Sequence, residues 1–99
     1  MNLELLKKEA LILLRQLIAI PSFSREETAA ANLLESWLSN KGLTVNRKGN
    51  NLWVQSPYAA NGKKVILLNS HIDTVKPASG YSHDPFSATI EDGKLYGLG

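Results

Sequence analysis

A layered α/β arrangement, with helices packed on a mixed sheet, is what three features of this 99-residue chain predict. Two stretches carry apolar residues at helical spacing, one four-residue run is wholly apolar, and short alternating stretches lie on either side of it. The length suits one modest domain able to bury about 65% of its unfolded surface. A hydrophobic fraction of 43% argues for a folded chain. Eleven basic and nine acidic residues give a net charge of +2, spread along the chain. A nucleic-acid module needs Lys and Arg clustered on one face, so nucleic acid is not an expected partner. No apolar run approaches the length of a membrane span, which leaves no membrane partner either. Cysteine is absent, so a disulfide framework and a Cys-based zinc knuckle are both excluded, and the chain is compatible with the cytoplasm.

The first helix rests on Leu3, Leu6, Ala10, Leu13, Leu14 and Leu17, one apolar stripe with Glu4, Lys7, Lys8 and Arg15 opposite, expected to face a core. Lys7 and Lys8 before an apolar segment imitate a signal peptide, but Arg15 and Gln16 interrupt it. Ile20-Pro21 closes the helix, because the residue before proline is pushed out of the α region. Ser24 with Glu27 three residues on forms a capping-box pattern for a second helix running to about Lys41. Ala30, Leu33, Leu34, Trp37 and Leu38 supply its buried face, and Gly42 suits the left-handed cap position.

Beyond Gly42 the period shortens. Leu43 and Val45, a Gly49-Asn50-Asn51 turn and Leu52-Trp53-Val54 predict a hairpin. A loop marked by Pro57 and Ala60-Asn61-Gly62 follows. Val65, Ile66, Leu67 and Leu68 then suit a central strand buried on both faces. A second hairpin is expected around Asp92-Gly93, with Ala88-Thr89-Ile90 and Lys94-Leu95-Tyr96 as its arms.

His71 and Asp73 stand where ligands collect, beyond the carboxyl end of that strand. On an extended backbone, side chains two apart project to the same side, so the Asp73 carboxylate can meet the His71 ring. Such a pair suits a metal-ligating imidazole whose second nitrogen is held by a carboxylate. A hydrogen-bonded loop pair without metal is the alternative that the dipeptide spacing alone leaves open.

Ser70-His71-Ile72-Asp73-Thr74-Val75, then Asp84-Pro85-Phe86, then Asp92-Gly93-Lys94-Leu95-Tyr96-Gly97-Leu98-Gly99, together with Ile20-Pro21-Ser22, occur in an order that resembles one family. It is the dinuclear-zinc amidohydrolase and exopeptidase family of acetylornithine deacetylase, succinyl-diaminopimelate desuccinylase, aminoacylase and carboxypeptidase G, and the resemblance is to its N-terminal part. The resemblance implies that residues 1–99 are an incomplete N-terminal portion of a zinc-exopeptidase-like catalytic domain. By the same resemblance His71 is the first metal ligand, and Asp73 is the acidic residue of the catalytic site that orients the ligands without touching substrate. Two zinc ions, with cobalt or manganese as alternatives, would polarise an amide carbonyl and bring the pKa of a bound water toward ~7. The implied substrate is an N-acyl amino acid or small peptide amide, with a lean toward an acetylornithine-type deacetylase, and the implied whole enzyme is a homodimer. Further ligands and the general base would lie beyond Gly99, so these residues alone are expected to be inactive. Leu98 and Tyr81 depart from the family pattern, standing where arginine and tryptophan are common.

Other polar residues point elsewhere. His83, before Asp84-Pro85, suits a turn better than a ligand set. Ser70 and His71 are adjacent, so on an extended backbone they point apart and cannot form a serine-hydrolase pair. Gly97-Leu98-Gly99 lacks the third glycine and helix of a dinucleotide loop. A different class of function also fits the expected sheet: a non-catalytic module that associates through an open edge.

Overall fold

Asn2 starts the first element, α1 (Leu3–Ala19), by accepting the Leu5 amide on its side-chain oxygen at 3.1 Å. The computed structural model describes residues 2–99. Ile20 is extended, as proline at position 21 requires, and its amide returns to Leu17 at 3.2 Å. The second helix, α2 (Thr28–Asn40), ends in a Schellman motif. Gly42, at φ +81°, donates to Ser39, and the Leu43 amide reaches Leu38 at 3.2 Å. The expected cap at Gly42 is therefore in place.

The expected cap at Ser24 is not. Glu27 occupies the N-cap position without a side-chain cap bond. Its carboxylate reaches back to the Arg25 amide at 2.7 Å, while Arg25 itself turns left-handed at φ +73°. That turn carries the Ser24 hydroxyl away from the helix start, toward residues 72–74.

Two antiparallel hairpins follow. β1 (Asn46–Lys48) pairs with β2 (Asn51–Trp53) in the register Asn46↔Trp53, Arg47↔Leu52, Lys48↔Asn51. Their turn is Gly49-Asn50, with Gly49 at φ +61° in the first turn position. Arg47 ties this hairpin to α2 through Asn32 at 2.7 Å and Glu35 at 2.6 Å. β3 (Ile90–Glu91) pairs with β4 (Lys94–Leu95) across Asp92-Gly93, both at positive φ, as a type I′ turn demands. The mixed α/β class thus holds, with two helices and two small antiparallel sheets among the described residues.

The 65–68 run corrects the expected central strand. It pairs with no strand among the described residues, and Val65, Ile66, Leu67 and Leu68 are 82% to 91% exposed. A strand is created by hydrogen bonds to neighbours, and an apolar composition only makes a segment suited to burial. The stripe on α1 is corrected in the same way. Leu3, Leu6, Ala10 and Leu14 are exposed, Leu13 and Leu17 are half-buried, and no α1 residue is fully buried.

What is buried is small. Among the described residues, Ala30 and Ala31 on α2, Ala88 and Ser22 are the buried ones, and Leu33, Leu34, Trp37 and Leu38 are half-covered. The accessible surface is 8032 Å², where a folded monomer of this mass exposes roughly 5,600 Å². The radius of gyration, 15.6 Å, likewise exceeds the ~12.6 Å of a self-contained domain of this length. The expected burial of about 65% is not reached, because the described residues cover α1 only in part and leave the 65–68 run bare. None of the described helices is long and apolar enough to cross a membrane.

Candidate functional site

Two extended segments build the site. Residues 22–24 leave α1 just after Pro21, and residues 72–74 lie beside them in parallel through a bridge between Phe23 and Thr74. The Thr74 amide donates to the Ser22 carbonyl at 2.8 Å, and the Ser22 hydroxyl donates to the Ile72 carbonyl at 3.0 Å. Ser22 is 2% exposed, so both of its bonds are sheltered from water. Phe23 packs its ring against Phe86 at 6.3 Å. From further along, Gly99 accepts the Val75 amide at 2.9 Å, which brings residues 97–99 against α1. A Cβ at Gly97 would lie 3.0 Å from the Ile18 side chain, so a larger residue there would require Ile18 to give way.

On this frame the structure brings His71 and Asp73 together. His71 Nδ1 lies 2.8 Å from the Asp73 carbonyl oxygen and 3.2 Å from carboxylate Oδ1. Both oxygens only accept, so Nδ1 of the neutral ring carries the proton and donates it. Nε2 is left with its lone pair, on a side chain that is 73% exposed. The other carboxylate oxygen, Oδ2, accepts the Ser24 hydroxyl at 2.5 Å. That hydrogen bond is the main cause holding the Asp73 carboxyl below its ordinary range, with partial desolvation opposing it and the neighbouring His71 ring adding to it.

His71, Ile72 and Asp73 line two concavities. One, of about 170 Å³, is walled by Leu14, Leu17, Ile18 and Phe86; the other, of about 580 Å³, opens toward Leu34, Leu38 and Asn50. Thr74 Oγ1 is buried here without a hydrogen-bond partner. No group of three or more His, Cys, Asp or Glu side chains is gathered among the described residues.

His83 lies outside this site. One ring nitrogen meets the Ser82 hydroxyl at 2.9 Å, and Nε2 meets Glu91 at 2.9 Å. Its ring stacks on Tyr96 with centroids 3.7 Å apart. With both nitrogens occupied, it fastens the 81–87 loop to the second hairpin.

No family model matches the chain. Among curated proteins, the acetylornithine deacetylase of Erwinia tasmaniensis is 39% identical over 100 aligned positions, covering 86% of this chain and 25% of that protein. Those of Klebsiella pneumoniae and Proteus mirabilis are 38% and 37% identical, over 86% and 88% of this chain. The chain belongs to the amidohydrolase family of the acetylornithine deacetylases, in its N-terminal part. It spans about a quarter of the length of these relatives.

For this member of the deacetylase family, Ser22 and Ser24 are the site residues that sequence reasoning missed. The only signal present was Pro21-Ser22-Phe23-Ser24, two hydroxyls just after the proline that ends the helix. Assigning Ser24 to a helix cap hid it. The donor set present fits one imidazole ligand with its orienting carboxylate, and a complete centre needs about three protein ligands.

Proposed function

We propose that this chain supplies the first metal-ligating histidine, His71, and its orienting carboxylate, Asp73, to a metal-dependent amidohydrolase acting on an N-acyl amino acid of the N-acetylornithine type. The observation that carries this reading is the His71 ring, its Nδ1 proton committed to Asp73 and its Nε2 lone pair turned outward. Kinship with acetylornithine deacetylases supports the substrate class. A bound zinc pair would supply Lewis-acid polarisation of the amide carbonyl and a water acidic enough to ionise near neutrality. His71 would hold one ion through Nε2, and Asp73 would keep the ring in the donating tautomer and increase its basicity. The remaining ligands and the base would come from residues outside this chain, which would act as the N-terminal part of a cytoplasmic enzyme.

A chimera tests this. Residues 1–99 replace the matching quarter of the Erwinia tasmaniensis deacetylase, and hydrolysis of N-acetylornithine is followed. Activity that falls more than about 100-fold with His71→Ala, with loss of bound zinc, is the expected result, because a ligand bond is removed outright. Equal turnover by the two chimeras would defeat the reading.

One observation favours a second reading. The exposed 65–68 run offers unpaired backbone and β-prone side chains, the features by which a module adds strands from a partner. Concentration-dependent association of the isolated chain that is abolished by Ile66→Lys and indifferent to zinc would support it over hydrolysis.

A further inference from the structure

We propose that Ser24 is a positioning residue of the His71–Asp73 pair, its hydroxyl fixing the plane of the Asp73 carboxylate so that the other oxygen faces the His71 ring. The proposal rests on the reading of His71 as a metal ligand only for its consequence, since the bonds that carry it lie within the chain.

A carboxylate on so short a side chain turns about both of its side-chain bonds, and a single partner does not set its rotamer and its plane together. Asp73 has partners on both oxygens: Ser24 on Oδ2 at 2.5 Å and His71 on Oδ1 at 3.2 Å. Ser24 can act as a fixed point because its segment is bonded on both sides of Asp73. The Ser22 hydroxyl holds the Ile72 carbonyl, and the Ser22 carbonyl holds the Thr74 amide. The aspartate is therefore gripped before, at and after its own position by two serines, Ser22 on either side of it and Ser24 on its carboxylate.

The Ser24 hydroxyl has one proton to donate, and the structure commits it to Asp73. It is not used to cap α2, whose first turn has no side-chain cap. Of the two acceptors around His71 Nδ1, the Asp73 carbonyl oxygen stays with the backbone, while carboxylate Oδ1 moves whenever the side chain turns. Loss of the Ser24 hydroxyl therefore frees the carboxylate, removes one of the two acceptors that hold the Nδ1 proton, shifts the neutral His71 ring toward a mixture of tautomers and weakens the lone pair offered by Nε2.

The test uses the 99-residue chain. The ring-nitrogen shifts of His71 report its tautomer, the Asp73 side-chain couplings report its rotamers, and exchange of the Thr74 amide reports whether the two segments remain bonded. The unsubstituted chain should show one Asp73 rotamer and a His71 ring protonated on Nδ1. Ser24→Ala should average the Asp73 couplings and mix the tautomers while Thr74 stays protected, and Ser24→Thr should restore both. In the chimera, Ser24→Ala should weaken zinc binding by roughly 10–100-fold, the range typical of groups that orient a ligand.

Unchanged Asp73 couplings and His71 tautomer in Ser24→Ala would overturn the proposal. If Ser24→Ala also exposes Thr74, the threonine variant decides: Thr74 protection regained without the His71 tautomer would equally overturn it. Zinc content and turnover of the chimera that are unchanged by His71→Ala, with the Ser24 dependence intact in the 99-residue chain, support the positioning role and remove the metal reading instead.

Discussion

The 72–74 segment and the 65–68 run are separated by only a few residues, yet one is fastened and the other is bare. Residues 72–74 contain two polar side chains out of three and are held by a buried serine, a parallel bridge and a carboxylate bond. Residues 65–68 are wholly apolar and are more than four-fifths exposed. Hydrophobicity alone does not place a segment inside. The apolar run needs a covering layer and two strand neighbours, which the described residues do not provide, whereas a hydroxyl can secure a loop wherever one acceptor is in reach.

The comparison can be broken at several points. The largest effect is expected at its functional end: in the chimera, Asp73→Ala should lower kcat by ~10–100-fold with less loss of zinc than His71→Ala. Steady-state kinetics with metal analysis checks this, and complete zinc loss by Asp73→Ala would promote it from orienting group to ligand.

A smaller effect is expected within the frame. Ser22→Ala leaves the Ile72 carbonyl without its sheltered donor and should destabilise the 72–74 pairing by about 1–3 kcal/mol. Hydrogen exchange at the Thr74 amide measures it, and unaltered protection would show that Ser22 contributes nothing.

The pH dependence sharpens the same segment. The Ser24 hydrogen bond, the largest cause, holds Asp73 below its ordinary value of 3.8. A carboxylate lowered in the folded state contributes stability above its unfolded value and loses it as pH falls through the folded one. Thr74 protection should therefore persist to about pH 4 and decline only below the usual carboxylate range. In Ser24→Ala the decline should begin at higher pH.

The smallest effect is predicted for the bare run. Ile66→Lys should change the stability of the isolated chain by less than about 0.5 kcal/mol, as at any exposed position. Denaturant unfolding decides, and a loss of several kcal/mol would show that the run is buried after all.

Much was legible without coordinates because it is encoded within a few residues. Proline at position 21 ends α1, Gly42 completes the cap of α2, and Asp92-Gly93 sets a hairpin whose two turn residues both need positive φ. The pairing of His71 with Asp73 is also local, two residues apart on one side of an extended backbone. The family could be named from the order of short motifs, and kinship with the acetylornithine deacetylases agrees. The partner of Ser24 was not legible. It lies 49 positions away, and only the left-handed turn at Arg25 with the bridge from Phe23 to Thr74 directs the hydroxyl there and not to the helix start. Nor could apolar pattern say whether α1 and the 65–68 run are covered. Pattern states which face a segment can bury, while burial itself depends on the layers that come to lie against it, and these are supplied only by tertiary contacts.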